Sequence, residues 1–159
     1  MDNFCFFSYQ SKKQAGNLLF LGFLLFLLGL ITGLIVPALA NPRLAVSSHI
    51  EGVLNGIFLI VLGLVWHKLA LSGRALKITF WLALYGTFAN WFGILVAAVF
   101  NAGKMLGIAA GGQEGPPLAE AVVAFFLITL SIAMVIISVL VLVGLKKGVT
   151  GENQGNGRD

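Results

Sequence analysis

The chain has 159 residues, of which 58% are hydrophobic and only 10% charged, and its mean hydropathy is +0.98. Soluble globular domains carry about a quarter charged residues, so this composition excludes them and defines an integral membrane protein, long enough for one small domain of four spans. The sole cysteine, Cys5, excludes a disulfide framework within the chain, and the net charge of +4 sits at the ends of apolar runs, suiting anionic lipid headgroups and not a nucleic acid.

The first apolar run, residues 18–40, follows Lys12 and Lys13 and closes on Ala-Leu-Ala, which resembles a signal-peptide cleavage site. A run of 23 residues exceeds the usual apolar region of a signal peptide and is long enough to span, so it reads as a retained first span. Pro37 and Pro42 bracket a short connection. The second run, residues 47–71, contains an S-x-x-E capping box at Ser48 and Glu51, which predicts a helix starting at His49 and puts His49 in its first turn. The third run covers residues 78–100. A glycine-rich connection ending in Pro116 and Pro117 follows, the longest in the chain, with room for a short surface helix or a lid. The fourth run covers residues 118–145.

The expected organisation is therefore all-α: a four-transmembrane-helix bundle over residues 14–147, an N-terminal tail at 1–13 and a disordered polar tail at 148–159. Lys12, Lys13, Lys68, Arg74, Lys77, Lys146, Lys147 and Arg158 lie on one side, and only Arg43 and Lys104 on the other. The positive-inside rule then places both termini in the cytoplasm, as for a multi-pass protein of the bacterial inner membrane, with His49 near the outer face. Trp66 and Trp81 read as interfacial anchors.

Polar side chains inside a membrane are expensive and mark functional sites by default. At 100° per residue, Gly52, Gly56 and Gly63 fall within roughly 60° of His49, giving a stripe almost without side-chain bulk that can receive either another helix or a flat ligand. Asn55 flanks that groove. Asn90, in the third span, shares a small-residue stripe with Gly86, Gly93 and Ala97, and sits at a depth from which both amides can line one cavity. Read from residues alone, Asn55 and Asn90 are equally interhelical hydrogen-bond partners, and His49 reads first as a structural or lipid-facing histidine bonded to a neighbour, with a haem ligand as the lesser reading. His49 and His67 are 18 residues apart, about 27 Å along a helix, so one haem cannot take both within a chain. Neither the Cys-x-x-Cys-His pattern of covalent haem attachment nor the ligands of a zinc or di-iron site are present in the spans, whereas a single imidazole suffices to hold haem iron and leave the other face open.

The segment H-I-E-G-V-L-N-G from His49, the segment A-N-W-F-G from Ala89 and the four-span layout resemble the small bacterial membrane haem isomerases, the hydroxylaminobenzene mutase branch more than the styrene oxide isomerase branch. The resemblance runs from about Gly16 to Lys147. It implies that His49 binds the iron of a haem b, that Asn55 contacts the substrate, and that the protein is a homotrimer with haem near its protomer interfaces; Gly52 and Gly56, on the stripe His49 heads, are then expected beside the cofactor, and Asn90 as a second catalytic amide. The family's further aspartate and tyrosine appear here as Gly86 and Ile94, which favours the mutase branch over epoxide isomerisation. The implied reaction is rearrangement of a small aromatic substrate, hydroxylaminobenzene, to 2-aminophenol, a step of nitroaromatic degradation, with Phe88, Trp91 and Phe92 as candidate ring contacts. A styrene oxide isomerase, a small transporter and a non-catalytic membrane scaffold are the alternatives.

Overall fold

The computed structural model describes residues 2–155, with side chains described for residues 10–150. It is helical throughout: α1 spans Asp2–Ile35, α2 Pro42–Val65, α3 Gly73–Phe100, α4 the single turn Gly107–Ala110, and α5 Pro117–Gly155. Four of these, α1, α2, α3 and α5, are long and apolar enough to cross a membrane, as the sequence predicts, and α4 is the short helix foreseen in the glycine-rich connection. Short 3₁₀ turns close α1 at Val36–Ala38 and α2 at Trp66–Lys68.

Helices α2 and α3 start where local chemistry satisfies their free amides. Asn41 caps α2 by accepting from the Leu44 amide at 3.2 Å, with Pro42 at the first helical position, where a missing N–H is harmless. Ser72 caps α3 through the Ala75 amide, and α3 ends on Asn101, which takes the left-handed conformation with φ 55°. Asn41 also donates to the Asn101 side chain at 2.8 Å and to the Ala110 carbonyl at 3.1 Å, tying the start of α2 to the end of α3 and to α4.

Two expectations are corrected here. The capping box at Ser48 and Glu51 does not start α2; Asn41 and Pro42 do, about two turns earlier, so His49 lies some 12 Å along the helix from its cap and not in its first turn. Trp66 is no interfacial anchor, being only 1% exposed, packed edge-on against Phe80 with its indole N–H unpartnered; Trp81 does face outward. Helix α1 begins at Asp2 and α5 runs past the Lys146–Lys147 pair to Gly155, and residues 156–159 of the expected polar tail lie outside the described residues.

The spans pack in chain order, α1 on α2, α2 on α3 and α3 on α5, and α1 also touches α3. Among the described residues α5 packs along α3 and touches the Trp66–Lys68 turn that closes α2, so the four spans form an open row with α5 on the far side of α3. The cause is on α3. Gly86 and Gly93 seat Met134 and Phe126 of α5 so closely that a Cβ at either glycine would stand 2.9 or 3.1 Å from them, whereas the outer stripe of α5, including Ile128, Ile132, Val135, Val139 and Leu142, is exposed as a lipid-facing surface must be. The α1–α2 contact is closer still. Gly22, Gly29 and Gly33 of α1 lie at seven- and four-residue spacing on one face and meet Gly56, Gly52 and His49 of α2 in antiparallel order. A Cβ on Gly52 would be 2.6 Å from the Gly29 Cα, and one on Gly56 would be 2.6 Å from the Phe26 amide nitrogen.

Candidate active site

The small-residue stripe headed by His49 therefore receives a helix, α1, and the backbones of Gly52 and Gly56 abut its chain. His49 sits at the end of that seam. Its Nδ1 lies 2.8 Å from the Gly29 carbonyl, and Gly33 has no side chain to obstruct it, since a Cβ there would come within 2.8 Å of Nδ1. A carbonyl only accepts, so Nδ1 carries a proton, and it is Nε2 whose lone pair the neutral ring offers. Nε2 has no hydrogen-bond partner among the described residues and is not fully buried. Val46, one turn before His49 on α2, and Leu30 and Leu34, next to the α1 glycines in sequence, are all exposed, Leu34 to 82%.

A second polar group lies on another side of α2. Glu51 projects toward α3, where its Oε2 accepts from the Asn90 amide at 2.6 Å and from the Asn55 amide at 3.1 Å. Asn55 is 7% exposed, while Glu51 and Asn90 are half-buried. Both amides thus meet, as their depth implies, but they meet at a carboxylate that the sequence reading assigned to a helix cap. The available signal was that Glu51 is the only carboxylate of the second run and lies one helical turn before Asn55.

Trp91 links this group to the seam. Its indole N–H donates to Thr32 Oγ1 on α1 at 3.1 Å, its carbonyl accepts from Ser48 Oγ on α2 at 3.1 Å, and its ring edge closes over Gly52. Of the other candidate ring contacts, Phe88 is half-buried against the core, and Phe92 is largely exposed and packs edge-on to Phe126. Tyr85 bonds Thr129, and Thr87 bonds the backbone of its own helix, both as packing partners. Gly86 faces Met134 and Ile94 is buried, so neither joins the polar group.

His49 and the carboxylate–diamide group point different ways. On a helix, Glu51 lies about 160° and Asn55 about 120° around from His49, so one groove does not hold all three in a single chain. The fold and these two polar positions define a multi-pass membrane protein that carries a free imidazole lone pair and a carboxylate–diamide cluster within an otherwise apolar helix row.

Comparison with known proteins gives this class its family. The family described as Styrene oxide isomerase matches residues 14–146. Two relatives come from Ectopseudomonas oleovorans: hydroxylaminobenzene mutase HabB is 49% identical over 140 residues, covering 87% of this chain and 85% of that protein, and hydroxylaminobenzene mutase HabA is 47% identical over 125 residues, covering 78% and 93%. The search of solved structures returned no match. The chain belongs to the styrene oxide isomerase family and is an isomerase.

Proposed function

We propose that the protein is a haem-dependent aryl hydroxylamine mutase that converts hydroxylaminobenzene to 2-aminophenol within the bacterial inner membrane. The observation that carries this reading is His49, whose Nδ1–H is fixed by the Gly29 carbonyl at 2.8 Å while Nε2 has no hydrogen-bond partner among the described residues. Metal-binding histidines almost always donate their other ring N–H to a carbonyl or carboxylate in this way, so His49 is the residue that would hold the iron of a haem b. Both mutase relatives match most of this chain, which supports the choice of substrate over an epoxide.

Haem held by His49 would supply Lewis-acid chemistry toward the hydroxylamine, and the rearrangement needs no net electron transfer. The overall change is balanced: the N–O bond is replaced by a bond from the same oxygen to the ortho carbon, that carbon loses its proton, and nitrogen gains one. No nicotinamide or oxygen is consumed. Asn55 and Asn90 hold the N–OH group and the migrating oxygen by hydrogen bonds, with Glu51 fixing the position of both amides. Trp91, held by Thr32 at the same depth, offers its π-face to positive charge that spreads into the substrate ring.

His49 and the amides face different sides of α2, so a complete site takes His49 from one chain and the amide cluster from another. This supports a homotrimer, as does the open row of spans, which leaves the faces of α1 and α2 away from α5 for a neighbouring copy. The basic residues at the end of the bundle that holds both termini support a cytoplasmic location for that end. Gly52 and Gly56 drop out as cofactor contacts in this reading, because α1 already occupies their surface.

Anaerobic incubation of purified protein with each substrate, followed by product chromatography, tests the assignment. Hydroxylaminobenzene should give 2-aminophenol with no added cosubstrate, and styrene oxide should be left unchanged. Asn55→Ala should retain the haem spectrum yet turn over about ten- to a hundredfold more slowly, the usual penalty for losing orientation of the reacting group. Conversion of styrene oxide to the aldehyde with no aminophenol from the hydroxylamine would reverse the choice of reaction.

A further inference from the structure

We propose that Glu51 determines substrate class, by offering Oε1 as an acceptor that selects molecules bearing an O–H or N–H and rejects those that only accept. This rests on the proposed mutase reading for the identity of the natural ligand, but its physical basis is separate. Oε2 is fully engaged by two amide donors, Asn90 at 2.6 Å and Asn55 at 3.1 Å. Those bonds also settle the amides: an acceptor oxygen can be met only by Nδ2, so each Nδ2 faces Glu51 and each Oδ1 is turned away from it. Oε1 has no partner among the described residues and does not count with the fully buried, unpartnered atoms, so it is open to a ligand.

The strongest free acceptor of the cluster is therefore a carboxylate oxygen, on a half-buried side chain within a membrane span. An aryl hydroxylamine brings both an O–H and an N–H to it. An epoxide brings one ether oxygen, which has nothing to donate and would face the carboxylate lone pairs. A site built to hydrogen-bond a substrate hydroxyl discriminates strongly against an analogue without one, because its own polar group is then left unpaired.

The same network states what a glutamine at this position does. In Glu51→Gln the Asn55 and Asn90 donors draw the new carbonyl oxygen into the place of Oε2, which turns the new NH2 outward into the place of Oε1. The free position changes from acceptor to donor with almost no change in volume, and the preference should follow. Glu51→Asp keeps the carboxylate and should keep the preference in weaker form.

The test uses a matched pair of ligands that differ in one donor, 4-fluorophenol and 4-fluoroanisole, bound to the full-length protein in nanodiscs and followed by fluorine NMR, with empty nanodiscs correcting for lipid partition. The parent protein should bind the phenol at least about tenfold more tightly than the anisole. Glu51→Gln should bring the ratio to one or below, and Glu51→Asp should leave the phenol favoured. A ratio near one in the parent overturns the proposal without any variant, and so does a ratio that Glu51→Gln leaves unchanged. Turnover of hydroxylaminobenzene is measured in parallel: donor selectivity that depends on Glu51 in a protein that does not form 2-aminophenol would defeat the mutase reading and leave this one standing.

Discussion

Replacing Gly52 by alanine tests whether the stripe beneath His49 is a helix seam. The added Cβ would stand 2.6 Å from the Gly29 Cα and 2.8 Å from Trp91 Cδ1. Carbon atoms in contact prefer about 3.5–4.0 Å, so the shortfall is about 1 Å toward two partners that yield poorly, one of them backbone and the other an indole anchored on Thr32. Overpacking of this kind costs about 1–3 kcal/mol, and the stiffness of both partners puts Gly52→Ala in the upper half of that span. Alanine recovers up to about 1 kcal/mol of helix propensity, leaving a net loss of about 1–2 kcal/mol, or five- to thirtyfold in the folded-to-unfolded ratio. Gly16 is the control: it lies in α1 with nothing within 4 Å of an added Cβ, so Gly16→Ala should gain a few tenths to 1 kcal/mol. Equilibrium unfolding in mixed micelles, read by circular dichroism on haem-free and haem-loaded protein, measures both. Gly52→Ala at least as stable as Gly16→Ala would refute the seam, and a loss confined to haem-loaded protein would return Gly52 to the cofactor.

His49→Ala should abolish the Soret band while His67→Ala retains it, because His67 is exposed in the 3₁₀ turn at the opposite end of α2; equal intensity in the two variants at matched folding refutes the ligand assignment. Native mass spectrometry from mild detergent should show three chains with haem retained, whereas a haem-bearing monomer of full activity would contradict a site shared between copies.

The four spans were legible because hydropathy and length alone set them, and His49, Asn55 and Asn90 stood out because polar groups in such helices are rare. The start of α2 was misplaced because two valid signals compete there: Ser48 and Glu51 form a capping pattern, but Asn41 before Pro42 forms a stronger start, and with the helix already running, Ser48 Oγ turns to the Trp91 carbonyl instead. That misreading also concealed Glu51, whose carboxylate seemed spoken for. The partner of His49 was harder to see. Gly22, Gly29 and Gly33 carry the signal in α1, yet a stripe of glycines on one helix does not say which other stripe it meets, and only the antiparallel pairing of α1 with α2 brings the Gly29 carbonyl to Nδ1. Trp66 misled for a related reason: its place at a helix end suits an interfacial anchor, and the 3₁₀ turn that rotates it into the core is not written in hydropathy.

Magnitudes decide whether Asn55, Asn90 and Glu51 are there to hold helices together. A charged side chain at the centre of a membrane helix costs about 2.5–3.5 kcal/mol on insertion scales. Hydrogen bonds between membrane helices return about 0.6 kcal/mol on average and at most about 1.7. Of the two bonds at Oε2, only the one from Asn90 joins two helices, since Asn55 and Glu51 are both on α2. The carboxylate is thus a net burden to the fold of about 1–3 kcal/mol. Glu51→Met, which keeps the volume and removes the charge, should accordingly leave unfolding stability within about 1 kcal/mol of the parent or raise it, as replacement of buried ionic groups by apolar ones often does. The same variant should lose the selectivity for donor-bearing ligands. A loss of 3 kcal/mol or more would mean that the carboxylate serves the fold, since that is the size expected when one member of a needed buried pair is removed.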